Sequence, residues 1–229
     1  MKSNPLKCSF CSVKSCAVSV LTSDELELLS DNCAGVTLKK GEILYKEVTL
    51  STFIIYLRSG LVKESMIGIN GKEQIVQIIR PLYYIGVSTM LGAKVSHYNY
   101  KALTDAEVCY IDAAIFKRLV QINGHFAFEI MTALCRENLG NYQRFVENNQ
   151  KQLYGRLADS LIYFSQDIFN SLSFELPVTQ KDLAAMISTT RESVTRGLSK
   201  FCKEKIISIE GGIVSILNPA RLIDISKNG

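Results

Sequence analysis

The hydrophobic rhythm of the chain changes near Asp112, and that change narrows the folds open to it. Upstream, residues 36–111 are short β-branched and aromatic runs, among them "TFIIYLRSGLVKESMIGI", "KEQIVQII" and "KALTDAEVCYI". Gly41, Gly60 and the pair Asn70-Gly71 punctuate them. An Asn-Gly pair between two such runs signals a hairpin, because both turn positions favour positive φ. Short strands at this spacing predict an antiparallel barrel or jelly roll. Downstream the period is helical. "AAIFKRLVQ" predicts a short helix broken near Asn123-Gly124, and a longer one is expected from about Phe126 to about Gln150. The fold class is therefore α+β.

Along the longer helix Met131, Leu134, Asn138, Tyr142 and Phe145 recur every three or four residues. Such a long, partly polar face suits pairing with a copy of itself. The same pattern also fits an amphipathic helix resting on its own barrel.

With 229 residues, of which 47% are hydrophobic, the chain can fill one large core or two smaller ones. No apolar run approaches the roughly 20 residues that cross a bilayer. "MKSNPLKCSF" carries no long apolar h-region. A cytoplasmic protein with no membrane partner is expected. Only His97 and His125 are present, neither in a Cys/His or Ser/His motif, and no phosphate-cradling Gly-rich loop occurs. These absences point away from an enzyme. The formal charge is +4, and residues 177–229 hold eight Lys/Arg against five Asp/Glu, a local +3.

That basic quarter contains "LPVTQKDLAAMISTTRESVTRGLSKFCKEKIISIEGGIVSIL", residues 176–217. Thr179 with Asp182 marks one helix start, and Thr189 with Glu192 marks the next. Leu183, Ala184 and Ile187 face a core, as do Val194, Leu198 and Phe201. Two helices joined by three or four residues form a helix-turn-helix, and two β runs about Gly211-Gly212 add a wing. Thr190, Arg191, Glu192, Thr195 and Arg196 then cluster at the N-terminal end of the second helix, the end that enters a major groove. Arg can donate to guanine O6 and N7, and Glu can accept from cytosine N4. Thr179, Gln180, Ser199 and Lys200 are placed to hold phosphates. In the rival reading the barrel binds a ligand and these helices only mediate association.

A β-barrel, a long helix and a winged helix-turn-helix carrying "TTRESVTRGLSKF" together resemble the Crp/Fnr family of bacterial transcription regulators. The resemblance covers nearly the whole chain. It implies a cyclic-nucleotide-binding-like jelly-roll barrel as sensor, a homodimer joined along the long helix, a two-fold symmetric double-stranded DNA site, and RNA polymerase as a partner. By motif, Arg191, Glu192 and Arg196 would read bases, with Thr195 beside them. Members with Arg at the place of Arg191 tend to read TGTGA-like half-sites; members lacking it, with Ser before the last Arg, read TTGAT-like ones. The implied organisation is residues 1–22 as a cysteine-bearing segment, 23–125 as the barrel, 126–150 as the dimerisation helix and 151–229 as the DNA-binding domain.

One branch of the family binds cyclic nucleotide through a Glu and an Arg-Ser pair. Here Val87 follows Gly86 where that Glu would stand, and Val95-Ser96 replaces Arg-Ser, so cAMP is not expected. Another branch holds an oxygen-labile 4Fe–4S cluster on three N-terminal cysteines and one late-strand cysteine. Cys8, Cys11 and Cys16 in "KCSFCSVKSC", with Cys109 in "TDAEVCYI", match that arrangement, and Cys33 is a substitute because the Cys11–Cys16 spacing is one residue short of the family's. Four thiolates satisfy such a cluster. They also suit structural zinc, the closely spaced pair suits a redox switch, and Cys33, Cys109, Cys135 and Cys202 sit among apolar neighbours as buried small residues do; the alternative is a regulator of this family that responds to another small molecule without a metal.

Overall fold

The computed structural model describes residue 11 and residues 13–50, 52–68, 71–93 and 95–229. Cys8 and Asn70 lie outside the described residues. The chain divides into two compact units: one runs to Ile67 and resumes over Val76–Gly140, and the other takes Gly68–Ile75 and Asn141–Gly229.

The first unit opens with two short helices, α1 (Cys16–Ser19) and α2 (Ser23–Asp31). The expected capping box at Thr22 is present, with Thr22 N–H donating to Glu25 Oε2 at 2.9 Å. The strands β1 (Cys33–Leu38), β2 (Ile43–Tyr45), β3 (Phe53–Ser59), β4 (Val62–Ile67), β5 (Glu73–Ile79), β6 (Tyr83–Ile85), β7 (Asn99–Ala102) and β8 (Ala106–Asp112) form two four-stranded sheets. Their orders are β1-β8-β3-β6 and β2-β7-β4-β5, and the ladders described are antiparallel. "KALTDAEVCYI" thus makes two strands with a turn over residues 103–105. A short helix, α3 (Val87–Gly92), interrupts the barrel.

Strand alternation divides the core in two. Ile55, Leu57 and Val108 face the barrel lumen with Val62, Tyr100 and Ala102. Ile54, Tyr56, Cys109 and Ile111 point the opposite way. They meet Ala17 and Val18 of α1, Leu29 of α2, and Phe116 and Leu119 of α4 (Ala113–Ile122). Phe126 and Ile130 of α5 (Gly124–Gln150) complete this outer core. α5 begins two residues earlier than expected, after Asn123, whose Oδ1 accepts from Phe126 N–H.

The second unit contains α6 (Leu153–Tyr163), a π-helical turn over Phe164–Ile168, β9 (Ser173–Glu175), α7 (Gln180–Met186), α8 (Arg191–Lys203), β10 (Ile207–Glu210), β11 (Ile213–Ile216) and α9 (Pro219–Asn228). The wing is a three-stranded sheet in the order β10-β11-β9. Its third strand, β9, was not expected from "SFE", which is too short to show a period. Gly211 and Gly212 turn the wing at φ +58° and +89°. Leu183, Ala184, Ile187, Val194, Leu198 and Phe201 are all buried, as expected.

Candidate nucleic-acid interface and signal site

α7 starts as its sequence dictates: Thr179 caps it, with Thr179 N–H donating to Asp182 Oδ2 at 3.1 Å. The start of α8 corrects the expectation by one residue. Thr190, not Thr189, is the cap, its hydroxyl accepting from Ser193 N–H at 3.2 Å. Thr189 N–H instead donates to Ala184 O and closes the end of α7. Two adjacent threonines offer the same capping chemistry, and the left-handed turn at Ser188 (φ +53°) selects the second.

Arg191, Glu192, Thr195, Arg196 and Ser199 are exposed on α8. Several are positioned from within. Arg196 Nη2 donates to Ser193 Oγ at 3.2 Å, and Ser193 also meets the Thr190 hydroxyl. Ser193 thereby orients Arg196, a role only the folded helix displays. The Thr195 hydroxyl lies 2.7 Å from Gln180 Oε1 and ties the start of α7 to α8. The Glu192 carboxyl is held below the usual carboxylate range, first by its own backbone N–H, then by the Thr190 hydroxyl and the two neighbouring guanidiniums. It is an ionised acceptor that folds back on the helix start. Lys200 is the outlier among the expected contacts: its ammonium sits 4.2 Å above the Tyr154 ring and 3.9 Å from Glu204. Lys203, exposed one turn further on, carries a second positive charge at that end of α8.

On α5, Phe128, Met131, Leu139, Tyr142, Phe145 and Val146 are exposed. With Cys135, Asn138 and Asn149, also exposed, Phe128, Met131, Tyr142 and Phe145 recur at an alternating three-four spacing, a period that suits self-pairing, and Leu139 and Val146 lie beside that line. Leu134 is half-buried against the outer core, and its neighbour Cys135 is exposed.

Three of the expected cysteines gather around one phenol. Tyr56 lies opposite Cys109 across the β3–β8 ladder. Its hydroxyl donates to Val13 O at 3.3 Å, and Cys11 Sγ donates to the same carbonyl at 3.4 Å. Burial chiefly raises the Tyr56 pKa, and the nearby Cys11, Cys109 and Cys16 raise it further. Cys33 is diagonal to Cys109 across the β1–β8 ladder, where Gly35 stands opposite Cys109. Soft sulfur donors near one buried surface are the chemistry a 4Fe–4S cluster requires. Among the described residues, no three His, Cys, Asp or Glu side chains stand together at metal-holding distance. The thiols are neighbours rather than a closed cage.

The position of a family Glu is filled differently. Val87 is buried in the outer core. Ser96 is buried, and its hydroxyl bonds the Tyr98 backbone at 2.8 Å. Among the described residues, no helix is long and apolar enough to cross a membrane.

Comparison with known proteins agrees with both units. Residues 35–123 match the profile of the cyclic nucleotide-binding domain, and residues 155–225 match that of the Crp-like helix-turn-helix domain. The chain is 27% identical to the fumarate and nitrate reduction regulatory protein of Vibrio cholerae, over 96% of this chain and 90% of that protein. It is 26% identical to the transcriptional activator Anr of Pseudomonas aeruginosa, over 94% and 90%. In fold it is similar to FixK2 of Bradyrhizobium japonicum, with TM-score 0.76 and 18% identity over 84% of this chain and 96% of that one. A Crp/Fnr-family regulator from Eubacterium rectale gives 0.78 and 20%, over 92% and 97%. A nucleotide-binding-type barrel, a long helix and a winged helix-turn-helix, in this order and with these relatives, make the chain a non-enzymatic, DNA-binding transcription regulator of the Crp/Fnr family.

Proposed function

We propose that the protein acts in the cytoplasm as a homodimer that binds a two-fold symmetric DNA site and regulates transcription, with RNA polymerase as a partner. The observation that carries this reading is the exposed group of Arg191, Glu192, Thr195 and Arg196 at a capped helix start. The helix N-terminus meets the duplex, Arg191 and Arg196 donate to guanine, and Glu192 accepts from cytosine. Thr179, Gln180 and Ser199 would hold phosphates, as would Lys200 once its ammonium leaves the Tyr154 ring, and Thr190 stands at the helix start beside the base-reading group. The seam on α5 from Met131 to Phe145 joins the two copies. Operator binding tests it directly. Arg196→Ala should lower discrimination between the operator and a scrambled duplex by about 1–3 kcal/mol. Unchanged discrimination and an unchanged salt slope would remove the DNA reading.

The signal enters at the N-terminal segment. A 4Fe–4S cluster on Cys8, Cys11, Cys16 and Cys109, with Cys33 as substitute, would supply an oxygen-sensitive link between that segment and β8. The chain's own part is to bring Cys11 and Cys16 beside Tyr56 and Cys109. Because α1 and the start of α5 share the outer core, freeing residues 8–16 would loosen the packing of α5. Cyclic nucleotide is not the signal. Val87 is buried, Ser96 is committed to its own loop, and the lumen carries Glu64 with Gln77 and Tyr100. Millimolar cAMP should therefore leave the melting temperature unmoved, since only binding to the folded state raises it.

A further inference from the structure

The barrel lumen holds a polar network that reaches α5. Glu64 on β4 is buried; its Oε1 accepts from the Tyr100 hydroxyl at 2.8 Å, and its Oε2 accepts from Gln77 Nε2 at 2.5 Å. The same Gln77 nitrogen stands 3.0 Å from Glu137 Oε1 on α5 and 2.9 Å from the Tyr83 hydroxyl. An amide NH2 has two hydrogens. One to each carboxylate uses both, and the Tyr83 hydroxyl donates its own hydrogen to Glu137. Each carboxylate then receives one amide and one phenol hydrogen. Burial, with Glu137 and Glu64 close by, holds Tyr83 and Tyr100 firmly protonated, so neither donor is lost at any ordinary pH. Bonds of this kind, buried or partly buried, reinforce one another.

The placement matters because of what adjoins Glu137. Its neighbour Asn138 is exposed on the α5 seam, and Leu139 lies beside it. Toward its start α5 is held by Phe126 and Ile130 in the outer core. Further along, Glu137 is where the helix meets the strands β5 and β6 through hydrogen bonds.

We propose that Gln77 is a latch: by bridging Glu64 and Glu137 it fixes the middle of α5 to the barrel and so sets how the seam is presented. A change in the lumen that moves the Gln77 amide would release residues near 137 and alter self-association without touching the seam itself. The consequence for association rests on the dimer reading; the latch does not.

Hydrogen exchange on the full chain, at a dilution where sedimentation shows monomer, tests it. Gln77→Leu should speed exchange of amides across residues 133–141 at least tenfold while β3 and β8 keep their protection. Glu137→Gln, which changes only the helix side, should give the same pattern at about threefold and serves where Gln77→Leu fails to fold. Unchanged exchange across 133–141 in a folded variant overturns the latch. Raised exchange with an unchanged dimerisation constant upholds the latch and overturns its link to the dimer.

Discussion

A single methyl group does not fit at Gly60. The residue joins β3 to β4 at φ +86°, and a Cβ there would stand 2.4 Å from Asp105 O and 2.7 Å from Ala106 Cβ. Gly60→Ala therefore meets two penalties, a left-handed backbone and a clash with main chain, and should cost about 2 kcal/mol or more. Chemical denaturation of the variant checks this, and a midpoint equal to the parent's would refute it. The sequence marked Gly60 as a turn, but the close approach of residues 105 and 106 comes from the barrel closing and has no local signature. The proposed recognition residues divide in the same way. Arg191, Glu192 and Arg196 could be read from "RESVTR". Ser193, which holds Arg196, could not, because a serine inside a helix looks like any solvated side chain until its Oγ is seen 3.2 Å from a guanidinium. Ser193→Ala should leave fold stability within about 0.5 kcal/mol, since Thr190 still caps the helix through the backbone N–H. Operator affinity should fall several-fold, because Arg196 then pays rotamer entropy on docking.

At the scale of the element, α5 poses a question of which side faces where. Its three-four period was legible, yet period alone cannot separate a stripe that covers its own core from one that meets a partner. α5 carries both a core-facing and an exposed apolar side: Phe126, Ile130 and Leu134 serve the outer core, while Phe128, Met131, Tyr142 and Phe145 are exposed. Leu134 and Cys135 are adjacent, and only packing shows that the first serves the core while the second is exposed. An exposed apolar stripe of this length is unusual on a monomer. If the stripe is the dimer seam, Asn138 is its polar interruption, and such a residue lowers stability while fixing register. Asn138→Ile should therefore tighten self-association at least tenfold, and Phe145→Glu should weaken it by at least as much through a buried unpaired charge. Sedimentation equilibrium on both variants decides the matter. If neither shifts the dimerisation constant, the stripe has another occupant.

For the molecule as a whole, the open question is what the N-terminal cysteines do, and the chain's own chemistry makes the alternatives separable. The outer core places Cys109 on the strand face that α1 covers, so any group held by Cys11 and Cys16 would also be within reach of β8. Cys202 belongs to α8 and Cys135 is exposed on α5, and neither is part of that core. Protein purified without oxygen should thus carry about four iron and four sulfide per chain and absorb in the visible. Cys11→Ser, Cys16→Ser and Cys109→Ser should each lose most of that iron, while Cys135→Ser and Cys202→Ser retain it. Tetrahedral zinc would give metal without colour or sulfide, and a thiol switch would give neither metal nor colour but a mass change of two hydrogens on oxidation. Cys33→Ser decides the remaining ambiguity in the ligand set. Because Cys33 is diagonal to Cys109 on the same sheet face, its loss lowers iron only if it, and not Cys16, completes the set. Cys16→Ser and Cys33→Ser should therefore behave oppositely. A pair of variants that both keep full iron would show that neither thiol holds the metal, and Cys8, Cys11 and Cys109 would then need a fourth donor other than these two thiols.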